Sequence, residues 1–509
     1  MDHRRNRLFT VSASFALAVV LAASGCGGGN GGGGGGTDES ADAMVLGEPM
    51  AVTTLDPLLA YQATDIRAVA LLGGRLFSYD QAGNVGPGLA QSSIVSPDEL
   101  SWTFELRPDL KFSDGSPLTA TDVAASLERA RTDETNIYAA LTSPWKSVSA
   151  LDPETVRMDL NVPTPKLDSV LSYPFTTIVP AARVADSDYY SSPISAGMFS
   201  LESWGGGTEA KFVRNENYWD AKPVVERVTM TGNPDSSARL SDVKSGRINF
   251  APDIAPSLID QVTAPAKLDT SQLNGMYSLV PNNTLAPFDN YEVRKAMSLA
   301  VDRDQINSEV FFGKSEPLAG FWPPSMDGYD NTVPTGRDLA GAKAALRGTP
   351  CATGCSSDLY FTSAYSGEAE MARILKQNLA DIGIAVEIHD LDATTLYSRL
   401  AEGNLPMAIT LTWDYLNQPS GLLNYALQQG GSQANFSFYS SQQMEQLIGQ
   451  AGQQSGEQLE STLGKIDALF IQDVPYVNLT PSPTFAAVNL PEDDLVVESN
   501  SATYDFKRQ

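Results

Sequence analysis

The pattern of apolar and polar side chains predicts a strand and then a helix in the first quarter of the chain. Residues 102–107 alternate with a period of two, which is typical of a strand with one buried face. Thr119 and Asp122 have the spacing of a helix capping box. Val123 and Leu127 then fall on one helical face, so we expect that face to be buried.

The second half of the chain predicts a run of alternating helices and strands. A helix is expected after Asp289, because apolar residues recur there at helical spacing. Residues 359–391 predict a strand, a helix that stops at Gly383 and a second strand, which is the pattern of a βαβ unit. Residues 394–402 predict another helix, and the apolar run 407–413 suits a buried central strand. Together these segments indicate α/β architecture.

Length and composition indicate a globular protein with more than one lobe. The chain has 509 residues, of which 42% are apolar, and single cores rarely extend beyond about 250–300 residues. The formal net charge of -27 argues against nucleic acid or an anionic membrane surface as a partner. We attribute the acidity to solubility, with weak steering of cationic ligands as the alternative.

The near absence of histidine excludes several kinds of catalytic and metal site. The chain contains only His3 and His389, so a Ser-His pair, a Cys-His pair or a multi-histidine metal site lacks material. We interpret His389 as a polar residue of a strand. The sequence has no G-x-S-x-G or H-E-x-x-H motif, and Ser308 replaces the glycine that a phosphate loop ending at Ser315 would need. We therefore expect no metal, no cofactor and no enzyme activity.

The first residues have the parts of a secretory signal. Three arginines precede the apolar stretch 8–23, which is short for a membrane span. Small residues then lead to Cys26, which resembles a bacterial lipobox although Ala23 stands where leucine is usual. The resemblance implies cleavage before Cys26 and lipid on its thiol; an ordinary signal with an incidental cysteine is the alternative. Residues 27–36, nine glycines and one asparagine, are typical of a flexible tether.

Two further cysteines predict a local disulfide. Cys351 and Cys355 flank a short loop that contains glycine. A chain exported to an oxidising compartment favours a bond between them. A metal site would need two more ligands nearby, and the sequence offers none there.

Several short motifs follow one another along the whole chain. Residues 54–57 read Thr-Leu-Asp-Pro, and residues 102–112 read Trp-Thr-Phe-Glu-Leu-Arg-Pro-Asp-Leu-Lys-Phe. In their order these motifs resemble family 5 extracellular solute-binding proteins, which serve importers of peptides, dipeptides and some nickel complexes. Asn249 replaces an aspartate usual in that family. The remaining motifs are Gly88-Leu89-Ala90, Asp98, Asp114-Gly115, Pro117-Leu118-Thr119-Ala120, Asp122-Val123, Arg214-Asn215, Tyr218-Trp219, Ser245-Gly246, Pro287-Phe288, Val293-Arg294-Lys295-Ala296 and Asp302-Arg303.

The resemblance implies an α/β, two-lobed periplasmic-binding-protein-like fold, with mixed sheets flanked by helices and an extra inserted domain. A pair of crossing strands would form the hinge between the lobes, near residues 281–283 and 479–483. The expected segments are a signal peptide (1–25), a lipidated cysteine with its glycine-rich tether (26–40), lobe I (41–75, 196–283 and 484–509), its inserted domain (76–195) and lobe II (284–483).

The function implied by the resemblance is that of the substrate-binding lipoprotein of an ABC importer. Such a protein captures a small ligand, here an oligopeptide or dipeptide, by hinge closure and delivers it to the permease subunits. We expect a monomer held at the outer face of the cytoplasmic membrane by its lipid. In peptide binders of the family, an aspartate at the position of Asp414 pairs with the peptide's α-ammonium group, which a fixed carboxylate suits. Trp413, Tyr415 and Asn435 are further candidates for the ligand site.

Several alternatives stay open at this point. Asp414 has the alternative role of capping a turn, because Gln418 replaces the acidic residue usual before the following proline. The same fold also binds non-peptide solutes such as a sugar, a metal chelate or a siderophore-like molecule. A surface lipoprotein for signalling or adhesion is a third hypothesis. In another class, an exported hydrolase would need a pair of carboxylates for glycoside cleavage.

Overall fold

The computed structural model describes residues 43–79, 85–164, 166–413, 419–428, 435–490, 495–499 and 504–508. Strands in these ranges are short except for two long ones in the middle and near the end of the chain. The strands are β1 (Ala43–Glu48), β2 (Phe77–Tyr79), β3 (Val85–Pro87), β4 (Ala90–Val95), β5 (Ser101–Leu106), β6 (Trp145–Ala150), β7 (Thr155–Leu160), β8 (Phe199–Trp204), β9 (Glu209–Arg214), β10 (Arg227–Gly232), β11 (Phe250–Ala251), β12 (Lys267–Pro281), β13 (Cys355–Phe361), β14 (Ile384–Asp390), β15 (Met407–Trp413), β16 (Val477–Val488), β17 (Leu495–Ser499) and β18 (Tyr504–Arg508).

The helices are most frequent between β12 and β16. Short 3-10 helices occur in addition at Pro174–Thr176, Ser187–Ser191 and Pro256–Gln261. The α-helices are α1 (Ala63–Leu72), α2 (Ala120–Thr132), α3 (Ala139–Thr142), α4 (Leu167–Val170), α5 (Ser236–Lys244), α6 (Tyr291–Ala300), α7 (Arg303–Val310), α8 (Leu339–Ala345), α9 (Glu368–Ala380), α10 (Ala393–Ala401), α11 (Pro419–Ala426), α12 (Gln442–Ala451) and α13 (Gly456–Asp473).

Two elements predicted in the first quarter are confirmed. β5 covers the alternating segment, and Trp102, Phe104 and Leu106 are its buried residues. Helix α2 begins with a complete capping box, in which the side chains of Thr119 and Asp122 each accept a hydrogen bond from the other residue's backbone. The local sequence pattern therefore fixes both the alternation of the strand and the start of the helix.

The predicted βαβ unit is also confirmed. β13, α9 and β14 follow in order, and the two strands pair in parallel. Gly383 has a φ of +91°, which is the left-handed conformation that glycine adopts most easily. β15 coincides with the predicted strand 407–413. The helix expected after Asp289 begins one residue later, because the side chain of Asn290 caps α6 by accepting hydrogen bonds from the backbone of Glu292 and Val293.

One mixed sheet of ten strands organises most of the molecule. Its order is β14-β13-β15-β12-β16-β11-β1-β10-β9-β8. The long strands β12 and β16 pair with each other and stand between two groups of strands. We name β14, β13 and β15 the β15 group, and β11, β1, β10, β9 and β8 the β1 group. β12 and β16 are thus the only strands among those described that join the two groups.

A second sheet of four antiparallel strands, β4-β5-β7-β6, has its own apolar cluster. The cluster is drawn from residues between 58 and 196, with Phe104, Val123 and Val156 fully buried at its centre. In the β15 group, helices α6 and α9 bury Val293 and Leu375 with the strands. Truncating such a buried leucine to alanine typically costs about 2–5 kcal/mol of stability. The segment boundaries expected for the lobes and the inserted domain stay a prediction.

Candidate ligand-binding cleft

The carboxyl ends of the two strand groups point toward the same stretch of β12 and β16. In the β1 group, β10 and β11 run parallel to β1, and Ala251 at the end of β11 pairs with Ala487 of β16. Ala487 also pairs with Leu268 of β12. In the β15 group, Trp413 at the end of β15 pairs with Gly275 of β12. The two positions on β12, Leu268 and Gly275, are thus seven residues apart, or about 23 Å at ~3.3 Å per residue.

Among the strands that the structure describes, only β12 and β16 span this gap, and their pairing is irregular there. The register shifts between Gln272 and Met276, opposite Pro483 and Pro481. Proline has no N–H for a ladder, which explains why regular pairing stops at this point. Ligands of open α/β sheets bind outside the carboxyl ends of strands. The gap is therefore the candidate ligand-binding cleft.

On the β1 side, a buried carboxylate forms the centre of a polar network. Glu48, the last residue of β1, accepts hydrogen bonds from the guanidinium of Arg67 and from the Tyr504 hydroxyl at 2.6 Å. Burial is the largest single influence and lowers the pKa of Arg67, but the charges of Glu48, Tyr504 and Asp253 and the hydrogen bond to Glu48 together outweigh it, so the net pKa is raised. Arg67 therefore stays charged and holds the end of β1 against α1. The Thr64 hydroxyl donates a further bond to Glu48 at 3.3 Å.

The loop after β11 contains Asp253, whose carboxylate contacts this network and is partly exposed to solvent. Asp253 has a φ of +54°, and its side chain is 40% exposed and lies 3.5 Å from Arg67. Arg239, which is buried, donates to the Asp253 carbonyl at 2.7 Å and to the Asn233 carbonyl at 2.7 Å. Two arginines thus fix the loops at the carboxyl ends of β10 and β11, and Asp253 remains accessible to solvent.

On the β15 side, the side chain of Tyr277 connects β12 to the loop after β13. Its hydroxyl donates to the Ser366 carbonyl at 3.2 Å and also bonds to Ser482 of β16. Burial is the main reason that the pKa of Tyr277 is raised, and Glu368 adds to it. The Ser315 hydroxyl bonds to Pro481 of β16 at 3.0 Å. The bond to Ser366 attaches the loop after β13 to β12, and the bond from Ser315 attaches the loop after α7 to β16.

Glu368 is a buried carboxyl group on the same side of the cleft. It is the first residue of α9, and its Oε2 accepts the Thr362 N–H at 3.0 Å. Its Oε1 is buried without a hydrogen-bond partner among the described residues. Burial raises the pKa of Glu368 to about 8, and the charge of Asp390 acts in the same direction. The side chain is therefore mainly a neutral acid at pH 7.

The ligand-binding residues predicted from the sequence lie partly outside the described residues. Asp414 and Tyr415 lie outside the described residues, and only the backbone of Trp413 is described, at the end of β15 beside Gly275. Their roles stay predictions. Cys26 also lies outside the described residues.

Asn435 is described, and its side chain is bonded within its own loop. Its Nδ2 donates to the Tyr439 carbonyl at 2.9 Å and the Leu427 carbonyl at 3.3 Å, and its Oδ1 accepts the Ser437 hydroxyl at 2.8 Å. Both amide hydrogens thus have acceptors. These bonds give Asn435 a role in holding the loop, and its contact with a ligand stays a prediction.

Cys351 and Cys355 are joined by a disulfide, with their Cα atoms 4.9 Å apart. The bond closes the turn that leads into β13. It lies at the amino end of β13, whereas the candidate cleft lies toward the carboxyl ends of the strands. Its contribution is therefore to the fold.

Sequence reasoning did not identify Asp253, Tyr277 and Glu368 near the cleft. Tyr277 and Glu368 are 91 positions apart in the numbering, and no motif joins them. The one available signal was position along the chain, because Glu368 begins the helix that follows β13 and Asp253 lies two residues after the end of β11. Loops at the carboxyl ends of such strands commonly carry binding residues.

Comparison with known proteins bears on this geometry. Residues 84–434 match the family model described as "Bacterial extracellular solute-binding proteins, family 5 Middle". The chain belongs to this family. This family 5 protein is 26% identical over 423 residues to the glutathione-binding protein GsiB of Escherichia coli K12, covering 78% of the chain and 81% of GsiB.

Solved structures establish the fold of the family 5 protein. DppA from Helicobacter pylori, in complex with the peptide STSA, has a TM-score of 0.77 at 23% identity and covers 90% of this chain and 95% of DppA. NikA from Brucella suis, in complex with Fe(III)-EDTA, has a TM-score of 0.82 at 23% identity, and the match covers 92% of this chain and 100% of NikA. The two-lobed periplasmic-binding-protein fold predicted from the sequence is confirmed.

The family assignment also fixes the general function. The protein is an extracellular or periplasmic solute-binding protein of the class that serves ABC importers. Its relatives are solute-binding proteins and not enzymes. Among the residues that the structure describes, no helix is both long and apolar enough to pass through a bilayer.

Proposed function

We propose that this protein binds a short peptide in the cleft between the β1 and β15 groups and delivers it to an ABC permease. The observation that carries the proposal is the convergence of strand ends from both groups on β12 and β16. A ligand in this gap would touch both groups at once. Closure around it would be driven by the difference between its affinities for the closed and open forms.

The peptide as ligand is supported by chemistry and by relatives. A peptide brings a backbone of donors and acceptors together with charged ends, which suits a gap lined by interrupted strands and carboxylates such as Asp253. GsiB is named for glutathione, and DppA was solved with a tetrapeptide. NikA holds a metal chelate instead, so a chelate is the competing ligand class.

Attachment to the membrane is the second part of the proposal. We propose that residues 1–25 are removed on export and that Cys26 carries lipid. Residues 27–36 would then give the folded lobes reach from the bilayer. Metabolic labelling with a radioactive fatty acid should mark the wild-type protein and not Cys26→Ser. Equal labelling of both would contradict the anchor.

Ligand identity is best tested on protein purified from its host. Native mass spectrometry should detect a bound mass that tandem fragmentation assigns to a peptide, and calorimetry with that peptide should show one site per chain. Small-angle scattering should show a smaller radius of gyration when the peptide is added, as closure requires. A chelate or sugar in place of the peptide would replace the ligand class and leave the transport role intact. Turnover of the ligand would contradict a binding protein altogether.

The role of Asp414 gives a sharper test. Asp414→Ala should weaken peptide binding by about 2–5 kcal/mol, as expected when one partner of a buried charge pair is removed. The matched control is Asp390→Ala, which removes an exposed carboxylate at the end of β14, the outermost strand of the sheet. Calorimetry should show near-wild-type affinity for the control. Equal affinities for both variants would leave Asp414 with its alternative role in a turn.

A further inference from the structure

One face of β13 and β14 brings together three side chains that can bind a metal ion, Asp358, Glu387 and His389. Asp358 lies on β13 directly opposite Glu387 on β14, and His389 follows two residues later on the same face of β14. A carboxylate oxygen of each acidic residue and a ring nitrogen of His389 all lie within 4.8 Å of one another. Asp358 and His389 are half-buried and Glu387 is exposed. The cluster is thus compact and open to solvent.

A second observation concerns charge. Two carboxylates that face each other directly across a strand pair repel, which disfavours this register by a few tenths of a kcal/mol or more. Arg399 of α10 has its guanidinium over the ring of Tyr360, 5.2 Å from the ring centroid. A cation between Asp358 and Glu387 would turn the repulsion into attraction.

The imidazole of His389 is also held in place. Its ring stacks on Tyr360 with centroids 4.9 Å apart, and its Nε2 lies 2.9 Å from Asp358 Oδ1. The His389 nitrogen and the Asp358 oxygen are thus two possible metal ligands that already lie side by side. Ligand atoms of a tetrahedral zinc site lie about 3.4 Å apart, since bonds to nitrogen and oxygen are about 2.0–2.2 Å. Glu387, being exposed, can rotate to supply the third ligand.

We propose that Asp358, Glu387 and His389 bind a divalent transition-metal ion, with Zn²⁺ as the preferred ion. One imidazole and two carboxylates are ligands that zinc accepts, and water would complete the coordination. Ca²⁺ and Mg²⁺ prefer oxygen ligands, so the imidazole nitrogen of His389 serves them poorly. The ion would join the last two strands at the edge of the ten-stranded sheet.

This site is separate from the cleft. β14 is the outermost strand, and β13 and β15 stand between it and the crossing strands. The inference therefore does not rest on the proposed peptide ligand. A bare hydrogen bond between His389 and Asp358, with no metal, is the competing outcome.

The test is calorimetric titration of Zn²⁺ into untagged, metal-free protein. One site per chain is expected, and Glu387→Gln and His389→Gln should each weaken binding at least about tenfold. Glu387→Gln changes an exposed side chain and should leave folding intact. The matched control is Asp390→Asn, an exposed carboxylate on the same strand whose side chain accepts the Ser363 N–H; its affinity should equal that of the wild type.

A spectroscopic measurement identifies the ligand directly. The chain has only two histidines, so the ring protons of His389 can be assigned in the NMR spectrum by comparison with His389→Gln. Zn²⁺ should shift these signals in the wild type, while Mg²⁺ in tenfold excess should not. Equal zinc affinities for Glu387→Gln, His389→Gln and Asp390→Asn would overturn the site. His389 signals that do not shift when Zn²⁺ is added would also overturn it. Equal responses to Mg²⁺ would overturn the choice of metal class.

Discussion

Replacing Glu368 by glutamine should change how the stability of the protein depends on pH. The carboxyl group is buried, and one oxygen accepts the Thr362 N–H while the other has no partner among the described residues. Burial raises its pKa from 4.5 to about 8. Glutamine is neutral at every pH, and its carbonyl can accept the same N–H bond. The substitution therefore copies the protonated acid and removes its titration.

The sign and size of the effect follow from proton binding. Between about pH 4.5 and 8, folded Glu368 keeps a proton that the unfolded chain releases. The stabilisation that the folded protein gains by keeping this proton is fully present below pH 4.5 and is lost as pH rises toward 8. A shift of about 3.5 pH units at about 1.4 kcal/mol per unit gives an upper limit of about 5 kcal/mol. Allowing for relaxation around the charge, we expect about 2–4 kcal/mol.

Urea denaturation at several pH values between 5 and 8.5 measures this directly. The difference in unfolding free energy, Glu368→Gln minus wild type, should increase by about 2–4 kcal/mol over that range. The matched control is Glu370→Gln, which removes an exposed carboxylate from the same first turn of α9. The control should follow the wild type within about 0.5 kcal/mol. Parallel curves for Glu368→Gln and wild type would refute the raised pKa.

Two further substitutions test how the fold is held. Arg67→Met should lower the free energy of unfolding by about 3–5 kcal/mol, because it leaves Glu48 charged and buried without its cation. The control Arg373→Met, which removes an exposed ion pair, should lower it by about 0–1 kcal/mol. A small loss for Arg67→Met in urea denaturation would contradict the network. Changing both Cys351 and Cys355 to serine should lower the free energy of unfolding by about 2 kcal/mol, because the loop that the disulfide closes is short. Dithiothreitol should lower the stability of the wild type to the same level. A wild type whose stability does not change with dithiothreitol would argue against the bond.

Local sequence patterns predicted those elements whose signal lies within a few residues. The alternation around Phe104, the capping box at Thr119 and the apolar run of β15 each specify their own structure. The extent of β12 and β16 was harder to predict. Their partners lie about 200 positions away, as for Ser278 and Asn478, and β16 contains two prolines that locally argue against a strand. Such strands depend on tertiary pairing that no short window contains.

The cleft itself was predictable in position and not in detail. Strand ends and the family resemblance indicate where a ligand would enter, and Asp414 follows β15 directly. The network of Glu48, Arg67 and Tyr504 has no sequence signature, because a buried ion pair is recognised only when its partners are brought together. Glu368 likewise resembles any acidic residue at a helix start until its burial is known.

The bond between Tyr504 and Glu48 links positions 456 apart in the sequence. Glu48 in β1 therefore cannot form this bond until Tyr504 has been synthesised. Contacts of such high sequence separation slow folding. A chain that has not yet reached Tyr504 lacks this bond, and this delay is compatible with passage through a translocation pore as an extended polymer.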